Sequence, residues 1–319
     1  MSITCRFMAV LCALVTFSLG AAAQNFPSKP VRMVIPFAPG GSTDANARII
    51  QDKLSTLWGQ PVIIDAKPGA NTLIGTDLVA KSPGDGHTLL LTSTAMVVNP
   101  SMYTKLPYDT LNDLVPITIV SVSPFALVTP ADSPYKSIKD VLSTLRTQPS
   151  TLSFGVSDSS AMLSGHLFNM LAKSDMQAIS YKGAGPLMID LAGGHVPLGI
   201  AAVSSVQGQV KGGRVRILGV GSTQPSSLFP QAPTIASELS GYEAISWFGL
   251  LAPKGTPPEV VQKIHRDVAQ VLKDPEVLQK IQGLGADPGG MPPSEFQARI
   301  RREIELWGRV AKAAKIQPE

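Results

Sequence analysis

Cysteine is nearly absent from this chain of 319 residues, and its two cysteines, Cys5 and Cys12, both fall within residues 1–23. The rest of the chain has none, which excludes a disulfide framework, a thiolate nucleophile and a cysteine-bound metal there. Histidine is also scarce, with four in the whole sequence, and no His, Asp and Glu residues show the spacing of a zinc site. We therefore expect neither a metal ion nor a cofactor.

The common catalytic signatures are missing as well. The chain has no G-x-S-x-G, no H-E-x-x-H, no Walker A loop and no complete G-x-G-x-x-G. Gly183-Ala184-Gly185 and Gly219-Val220-Gly221 each begin the dinucleotide pattern and lack its third glycine. These absences favour a binding protein over an enzyme.

Runs of Lys and Arg are absent, and the formal net charge is only +4, so the sequence does not favour nucleic-acid binding. The composition is 44% hydrophobic and 16% charged, which fits neither a disordered chain nor a multi-span membrane protein. A chain of 319 residues is long enough for two domains.

Residues 1–23 have the pattern of a Sec-type signal peptide. Arg6 precedes an apolar stretch over residues 7–20, and Ala21-Ala22-Ala23 supplies a small-residue cleavage site. Leu11 stands before Cys12, where a lipoprotein would have a small residue. We expect cleavage near Ala23 and a soluble, exported, periplasmic protein.

A strand followed by a glycine-rich turn and a helix dominates the beginning of the remaining chain. Val31–Ile35 is an apolar strand, Pro39-Gly40-Gly41 forms a turn, and a helix is predicted to open at Ser42 or Thr43. Ligands of open α/β sheets bind where a strand ends and a helix begins, and the free N–H groups of that helix favour an anion. The alternative is a plain tight turn with Ser42 as the N-cap.

Strand and helix patterns alternate along the chain, which predicts βαβ units with mostly parallel sheet. Two long apolar segments, residues 117–130 and 245–252, are predicted to cross between two α/β lobes. The expected fold is therefore a two-lobed Venus-flytrap binding protein of type II-like organisation, with a cleft between the lobes. We place domain 1 at residues 24–122 plus 248–319 and the inserted domain 2 at residues 123–247.

Several motifs together resemble one family. They are Pro36-Phe37-Ala38-Pro39-Gly40-Gly41-Ser42-Thr43-Asp44, Gly69-Ala70-Asn71-Thr72-Leu73-Ile74-Gly75, Tyr181-Lys182-Gly183-Ala184, Leu191-Ala192-Gly193-Gly194 and Trp247-Phe248-Gly249-Leu250-Leu251-Ala252-Pro253. In this order and spacing they resemble the Bug family, the extracytoplasmic solute receptors of tripartite tricarboxylate transporters. The resemblance spans the chain beyond residue 23.

The resemblance implies a periplasmic receptor that grips a small carboxylate, largely through backbone amides and ordered water. Carried over residue by residue, it implies first-lobe contacts at Phe37, Ala38, Gly40, Gly41, Ser42, Asp44, Ser93 and Thr94. It implies second-lobe contacts at Ser157, Ser159, Ser160, Lys182, Gly183 and Asp190. Other roles stay open for some of them: Asp44 could complement its own helix dipole, Ser159 and Ser160 could cap a helix, Lys182 could be solvated, and Asp190 could orient backbone.

The sequence departs from the family pattern at Asn71, His195 and Pro197, so the ligand could differ from that of better-matching members. Dicarboxylates, tricarboxylates, acidic amino acids and aromatic carboxylates are all compatible with the residues. The expected partners are the membrane subunits of a transporter or, alternatively, a membrane sensor, and a monomer is expected. A periplasmic hydrolase with His166 as its base, near the cleft, is the alternative from the enzyme class.

Overall fold

A computed structural model describes residues 26–318 of the chain. The predicted signal peptide lies outside the described residues. The strands are Val31–Ile35 (β1), Val62–Ala66 (β2), Thr88–Ser93 (β3), Leu114–Pro130 (β4), Ser153–Val156 (β5), Gln177–Ser180 (β6), Leu198–Ala202 (β7), Val215–Val220 (β8), Ile245–Pro253 (β9) and Asp287–Pro288 (β10).

Helices connect most of these strands. They are Ser42–Trp58 (α1), Leu73–Ala80 (α2), Ala95–Met102 (α3), Ile138–Thr147 (α4), Ser159–Ala172 (α5), Ala184–Ala192 (α6), Val203–Lys211 (α7), Pro258–Val271 (α8), Pro275–Gly283 (α9) and Pro293–Ala313 (α10). A short 3-10 helix covers Ile235–Ser237.

The first lobe is built on a sheet with the strand order β2-β1-β3-β9-β4. β1 pairs in parallel with β2 and β3, whereas β9 runs antiparallel to both β3 and β4. In the second lobe β5 pairs in parallel with β6 and β7, and the end of β4 runs antiparallel to β7 and β8. The predicted two-lobed α/β fold is confirmed.

β4 changes sheets at Pro124. Its residues up to Pro124 pair with β9, and from Phe125 onward they pair with β7. At the switch, the backbone N–H of Phe125 donates to the carbonyl of Ala244, just before β9, at 3.1 Å. The two segments that the sequence predicted to cross between the lobes are therefore the two strands at the hinge.

The amphipathic helices α8 and α10 pack their apolar stripes inward. Val260, Ile264 and Val268 of α8 are buried, and so are Phe296 and Ile300 of α10. These helix faces are therefore core faces.

The two lobes share one cluster of buried apolar side chains. One cluster of buried side chains includes Leu90 of the first sheet together with Phe154 and Leu198 of the second. The two sheets therefore contribute to one continuous apolar cluster.

The sequence analysis missed α3, β7, α7 and α9. α3 contains Pro100, a residue that ordinarily ends a helix because its ring removes a donor and clashes with the preceding turn. β7 is only five residues long and is buried along most of its length, so it has no alternating pattern to reveal it.

Candidate ligand-binding cleft

A cavity of about 260 Å³ lies between the lobes, where loops from both sheets meet. Most of its walls are the segments that follow the carboxyl ends of β1, β2, β3, β5 and β7, and the crossing strands β4 and β9 supply the remainder. This is the position at which open α/β sheets bind ligands. The lining residues are Phe37, Gly41, Ser42, Thr43, Asn71, Ser93, Thr94, Ala95, Phe125, Ser157, Asp158, Ser159, Ser160, Ala202, Ser204, Ser205, Ser246 and Phe248.

The glycine turn after β1 positions the N-terminus of α1 at the cavity. Gly40 has a φ of +85°, a conformation that residues with a Cβ rarely adopt. Gly41 is the N-cap, has no side chain to satisfy the first N–H groups of the helix, and lines the cavity together with Ser42. Sequence reasoning allowed Ser42 to be the N-cap, whereas it is the first residue of the helix. The uncapped end leaves its N–H groups available to an anion.

Asp44 supports this turn from inside the helix. Its Oδ2 accepts hydrogen bonds from the Gly40 N–H at 2.9 Å and from Arg48 Nε at 3.0 Å. These two partners, the Arg48 guanidinium first, hold the pKa of the Asp44 carboxyl below its ordinary value. Asp44 is buried and does not line the cavity. Its position fits the alternative in which it stabilises its own helix.

Asn71 lines the cavity from the second glycine-bearing turn, with a φ of +46°. Its Nδ2 donates to Oδ1 of Asn99 at 2.9 Å, and Nδ2 of Asn99 donates back to the Asn71 carbonyl at 2.9 Å. Asn99 is fully buried in α3. This reciprocal pair fixes the side chain at a position where the sequence departs from the family pattern.

In the second lobe Asp158 is the N-cap of α5. Its Oδ1 accepts the Ala161 N–H at 2.9 Å, and its Oδ2 accepts a hydrogen bond from the Ser157 hydroxyl at 3.1 Å. Ser159 and Ser160, for which capping was the alternative role, are therefore not the N-cap. Oγ of Ser160 lies 3.5 Å from Oγ1 of Thr94, which is a direct contact between the two lobes.

The structure brings eight of the predicted ligand-binding residues together around the cavity: Phe37, Gly41, Ser42, Ser93, Thr94, Ser157, Ser159 and Ser160. Six others do not line it: Ala38, Gly40, Asp44, Lys182, Gly183 and Asp190. For all of them, contact with a ligand stays a prediction.

Asp190 is bound to its own lobe. The Tyr181 hydroxyl donates to Asp190 Oδ2 at 2.9 Å. Burial, and then the neighbouring Asp190 carboxylate, raise the pKa of the Tyr181 hydroxyl. Lys182 is exposed, and Gly183, with a φ of +101°, is the N-cap of α6. These placements fit the structural alternatives that the sequence left open.

His166, which the sequence predicted to lie near the cleft, does not line the cavity. Its ring packs edge-on against Phe154, with the ring centroids 5.8 Å apart. Burial lowers the pKa of His166, and neither Ser159 nor Ser160 is its hydrogen-bond partner in the described structure. A turn of α5 places it against the core of the second lobe, away from the serines.

Sequence reasoning missed the part of the lining that comes from the crossing strands and from β7. Phe125 lies on β4, Ser246 and Phe248 lie on β9, and Ser204 and Ser205 lie in the first turn of α7. The serine pair directly after the apolar residues of β7 was a usable signal, because it marks a strand-to-helix boundary.

Residues 46–316 match the tripartite tricarboxylate transporter family receptor, TctC. The chain belongs to this receptor family. It is 38% identical over 286 residues to a UPF0065 protein from the tcbD-tcbE intergenic region of a Pseudomonas species, covering 88% of this chain and 85% of that protein. It is 35% identical over 297 residues to BugT of Bordetella pertussis, covering 91% of each chain. The resemblance to the Bug family is thus confirmed.

A solved structure shows the same architecture. Rpa4515 of R. palustris, solved with adipate, superposes with a TM-score of 0.78 at 34% identity, covering 92% of this receptor and all of that chain (100%). Within residues 26–318 of the receptor, no helix has both the length and the apolar character needed to cross a membrane. In the same range, no three His, Cys, Asp or Glu side chains are grouped so as to hold a metal ion.

Proposed function

We propose that this receptor works in the periplasm, binding a small carboxylate in the interlobe cleft and delivering it to the membrane subunits of a tripartite tricarboxylate-type transporter. The observation that carries the proposal is the uncapped N-terminus of α1 at the cavity, held there by the Gly40-Gly41 turn. Such an end supplies oriented N–H groups and a positive dipole to a carboxylate. The adipate bound to Rpa4515 supports this ligand class.

We further propose that the domain boundaries lie at the sheet switch, with one domain at residues 24–122 plus 248–319 and the inserted domain at residues 123–247. The crossing strands support these limits, since β4 leaves the first sheet at Pro124 and β9 begins at Ile245. Both walls of the cleft come from one chain, so the receptor is proposed to act as a monomer.

Thermal unfolding of the processed protein against a panel of small carboxylates tests the proposal. A ligand at 100 times its dissociation constant stabilises the folded state by about 2.7 kcal/mol, which is a shift of several degrees. Ser205→Trp, which introduces an indole at the cavity, is expected to abolish the shift. Lys211→Trp, on the exposed end of the same helix, is the matched control and should retain it. A shift with uncharged compounds alone would contradict the carboxylate assignment.

A further inference from the structure

The cavity contains very little charge. Asp158 is the one lining residue with a formal charge, and within the described residues no Lys, Arg or His lines the cavity. Arg48, on the helix that begins at the cavity, is paired with Asp44 at 3.0 Å. A ligand carboxylate in this cavity therefore has only uncharged donors to hold it, namely backbone N–H groups, hydroxyls and the Asn71 amide, without a cationic side chain.

The first-lobe end of the cavity suits one carboxylate. The first intrahelical bond of α1 there runs from the Ala45 N–H to the Gly41 carbonyl at 3.0 Å, so the N–H groups of Ser42 and Thr43 lack intrahelical partners. Both residues line the cavity. The charge of Asp44 is offset by Arg48, which leaves the positive end of the helix dipole for a ligand anion.

The second-lobe end already holds a carboxylate of the protein. Asp158 caps α5 through the Ala161 N–H at 2.9 Å and is held by the Ser157 hydroxyl at 3.1 Å. It forms no ion pair in the described structure, so its charge is not matched by a side chain. A second ligand carboxylate at this end would face a like charge, which disfavours the doubly charged ligand.

Apolar surface occupies part of the remaining wall. Phe125 and Phe248 are 3% and 8% exposed, and Phe37 contributes from the glycine turn. The cavity volume of about 260 Å³ is below the roughly 300–1,000 Å³ of pockets that hold drug-sized ligands. The cavity therefore suits a small ligand, whose body would meet aromatic side chains and neutral serines.

We propose that the receptor is selective for a small monocarboxylate. Its single carboxylate would sit on the N-terminus of α1, with an uncharged, largely apolar body against the phenylalanines. Asp158 is then the specificity-determining residue that disfavours a second carboxylate. This inference rests on the proposed function and narrows its ligand class. It separates the receptor from Rpa4515, whose structure holds a dicarboxylate, adipate.

Isothermal titration with two matched pairs tests the inference: hexanoate against adipate, and benzoate against terephthalate. Within each pair, the second ligand differs from the first in carrying a second carboxylate at the far end of the molecule. The monocarboxylate is expected to bind at least about tenfold more tightly in at least one pair. Asp158→Asn keeps a side chain that caps helices well and removes the charge, so it should bring the ratio close to one. Asp132→Asn removes an exposed carboxylate of the same lobe that does not line the cavity, and it should leave the ratio unchanged.

The outcomes separate this inference from the proposed function. Tighter binding of adipate or terephthalate to the unmodified receptor would overturn the monocarboxylate selectivity and leave the carboxylate receptor intact. A ratio that Asp158→Asn does not change would overturn the role of Asp158. If neither pair binds, the inference fails, and if the wider carboxylate panel is also silent, the proposed function fails with it.

Discussion

The indole Nε1 of Trp247 donates a hydrogen bond of 2.8 Å to Oε2 of Glu303, and this bond ties the crossing strand β9 to the last helix. Trp247 is fully buried, and its ring lies edge-on to Phe296 with the centroids 5.2 Å apart. Glu303 also accepts a hydrogen bond of 2.6 Å from Arg299 Nε. A nitrogen of Arg299 lies 3.7 Å from Glu243, which immediately precedes the hinge in the second lobe. The helix α10 thus contacts both sides of the hinge.

Glu303→Gln is expected to lower the free energy of unfolding by roughly 1–3 kcal/mol, because an amide cannot accept from both Trp247 and Arg299 as the carboxylate does. Burial raises the pKa of the Glu303 carboxyl, and Arg299 and Trp247 oppose that rise. Urea unfolding measures the change. Glu305→Gln, on the exposed face of the same helix, is the control and should stay within about 0.5 kcal/mol of the unmodified protein. Equal losses in the two variants would refute the role given to Glu303.

Asp44→Asn is expected to weaken the acid sensitivity of the protein. The pKa of Asp44 lies below its value in the unfolded chain, so the folded state binds fewer protons and its stability falls as the pH drops below about 5. At pH 7 the variant should be less stable by roughly 0.5–2 kcal/mol, a deficit that shrinks as the pH approaches 3. Urea midpoints at pH 7, 5, 4 and 3 follow the trend. For the control Asp132→Asn, the free energy of unfolding should differ little from that of the unmodified protein at every pH. A loss of stability in Asp44→Asn that stays constant with pH would contradict the lowered pKa of Asp44.

Gly165→Ala and Gly308→Ala are expected to change stability in opposite directions, although both place alanine inside a helix. At Gly165 of α5 a Cβ would lie 2.0 Å from the ring of the buried Phe154, so overpacking should cost roughly 1–3 kcal/mol. At Gly308 of α10 a Cβ would meet only the Ser101 hydroxyl at 3.9 Å, so the higher helix propensity of alanine should add about 0.5–1 kcal/mol. Thermal unfolding of both variants measures the two changes in stability. Stabilisation by Gly165→Ala would contradict the prediction, because it would show that the Phe154 ring can move to accommodate the added methyl group.

Phe37→Ala is expected to weaken binding of the tightest carboxylate in the panel by about tenfold, because an aromatic contact at the cavity is lost. Phe37 is only half-buried in a loop, so the free energy of unfolding should change by less than about 1 kcal/mol. Titration calorimetry and unfolding on the same preparation separate the two effects. Leu57→Ala, at an exposed apolar position of α1 outside the cavity, should leave affinity unchanged. Unaltered binding in Phe37→Ala would mean that the ring makes no contribution to the ligand site.

The sequence predicted those strands and helices whose limits are determined by residues close by in the chain. β1 is a short apolar run closed by Pro36, and α1 begins after two glycines, so its limits follow from neighbouring residues. β4 and β9 stood out because their length and apolar character exceed those of an ordinary strand. Patterns of this kind need no knowledge of distant partners.

The missed parts of the site depend on contacts that are remote in the sequence. Phe248 reaches the cavity because its strand pairs with Ser93 of β3 and with Ser121 of β4. Asn71 is fixed by Asn99, which lies 28 residues further along the chain. The ring of His166 packs against Phe154, because the rotation of a helix decides which side chains face the core. Register and helix rotation of this kind cannot be obtained from composition or spacing.

The place of β9 in the first sheet sets the order in which the chain can assemble. β9 lies between β3 and β4, with Leu90 opposite Leu251 and Val115 opposite Ala252, yet it is made after the whole second lobe. An amino-terminal fragment ending before Ile245 therefore carries β3 and β4 with their facing edges unpaired, a condition that promotes aggregation. The second lobe, whose strands β5 to β8 follow one another, can pair earlier. Such long-range pairing is slow, so the sheet of the first lobe can be completed only after β9 has been synthesised.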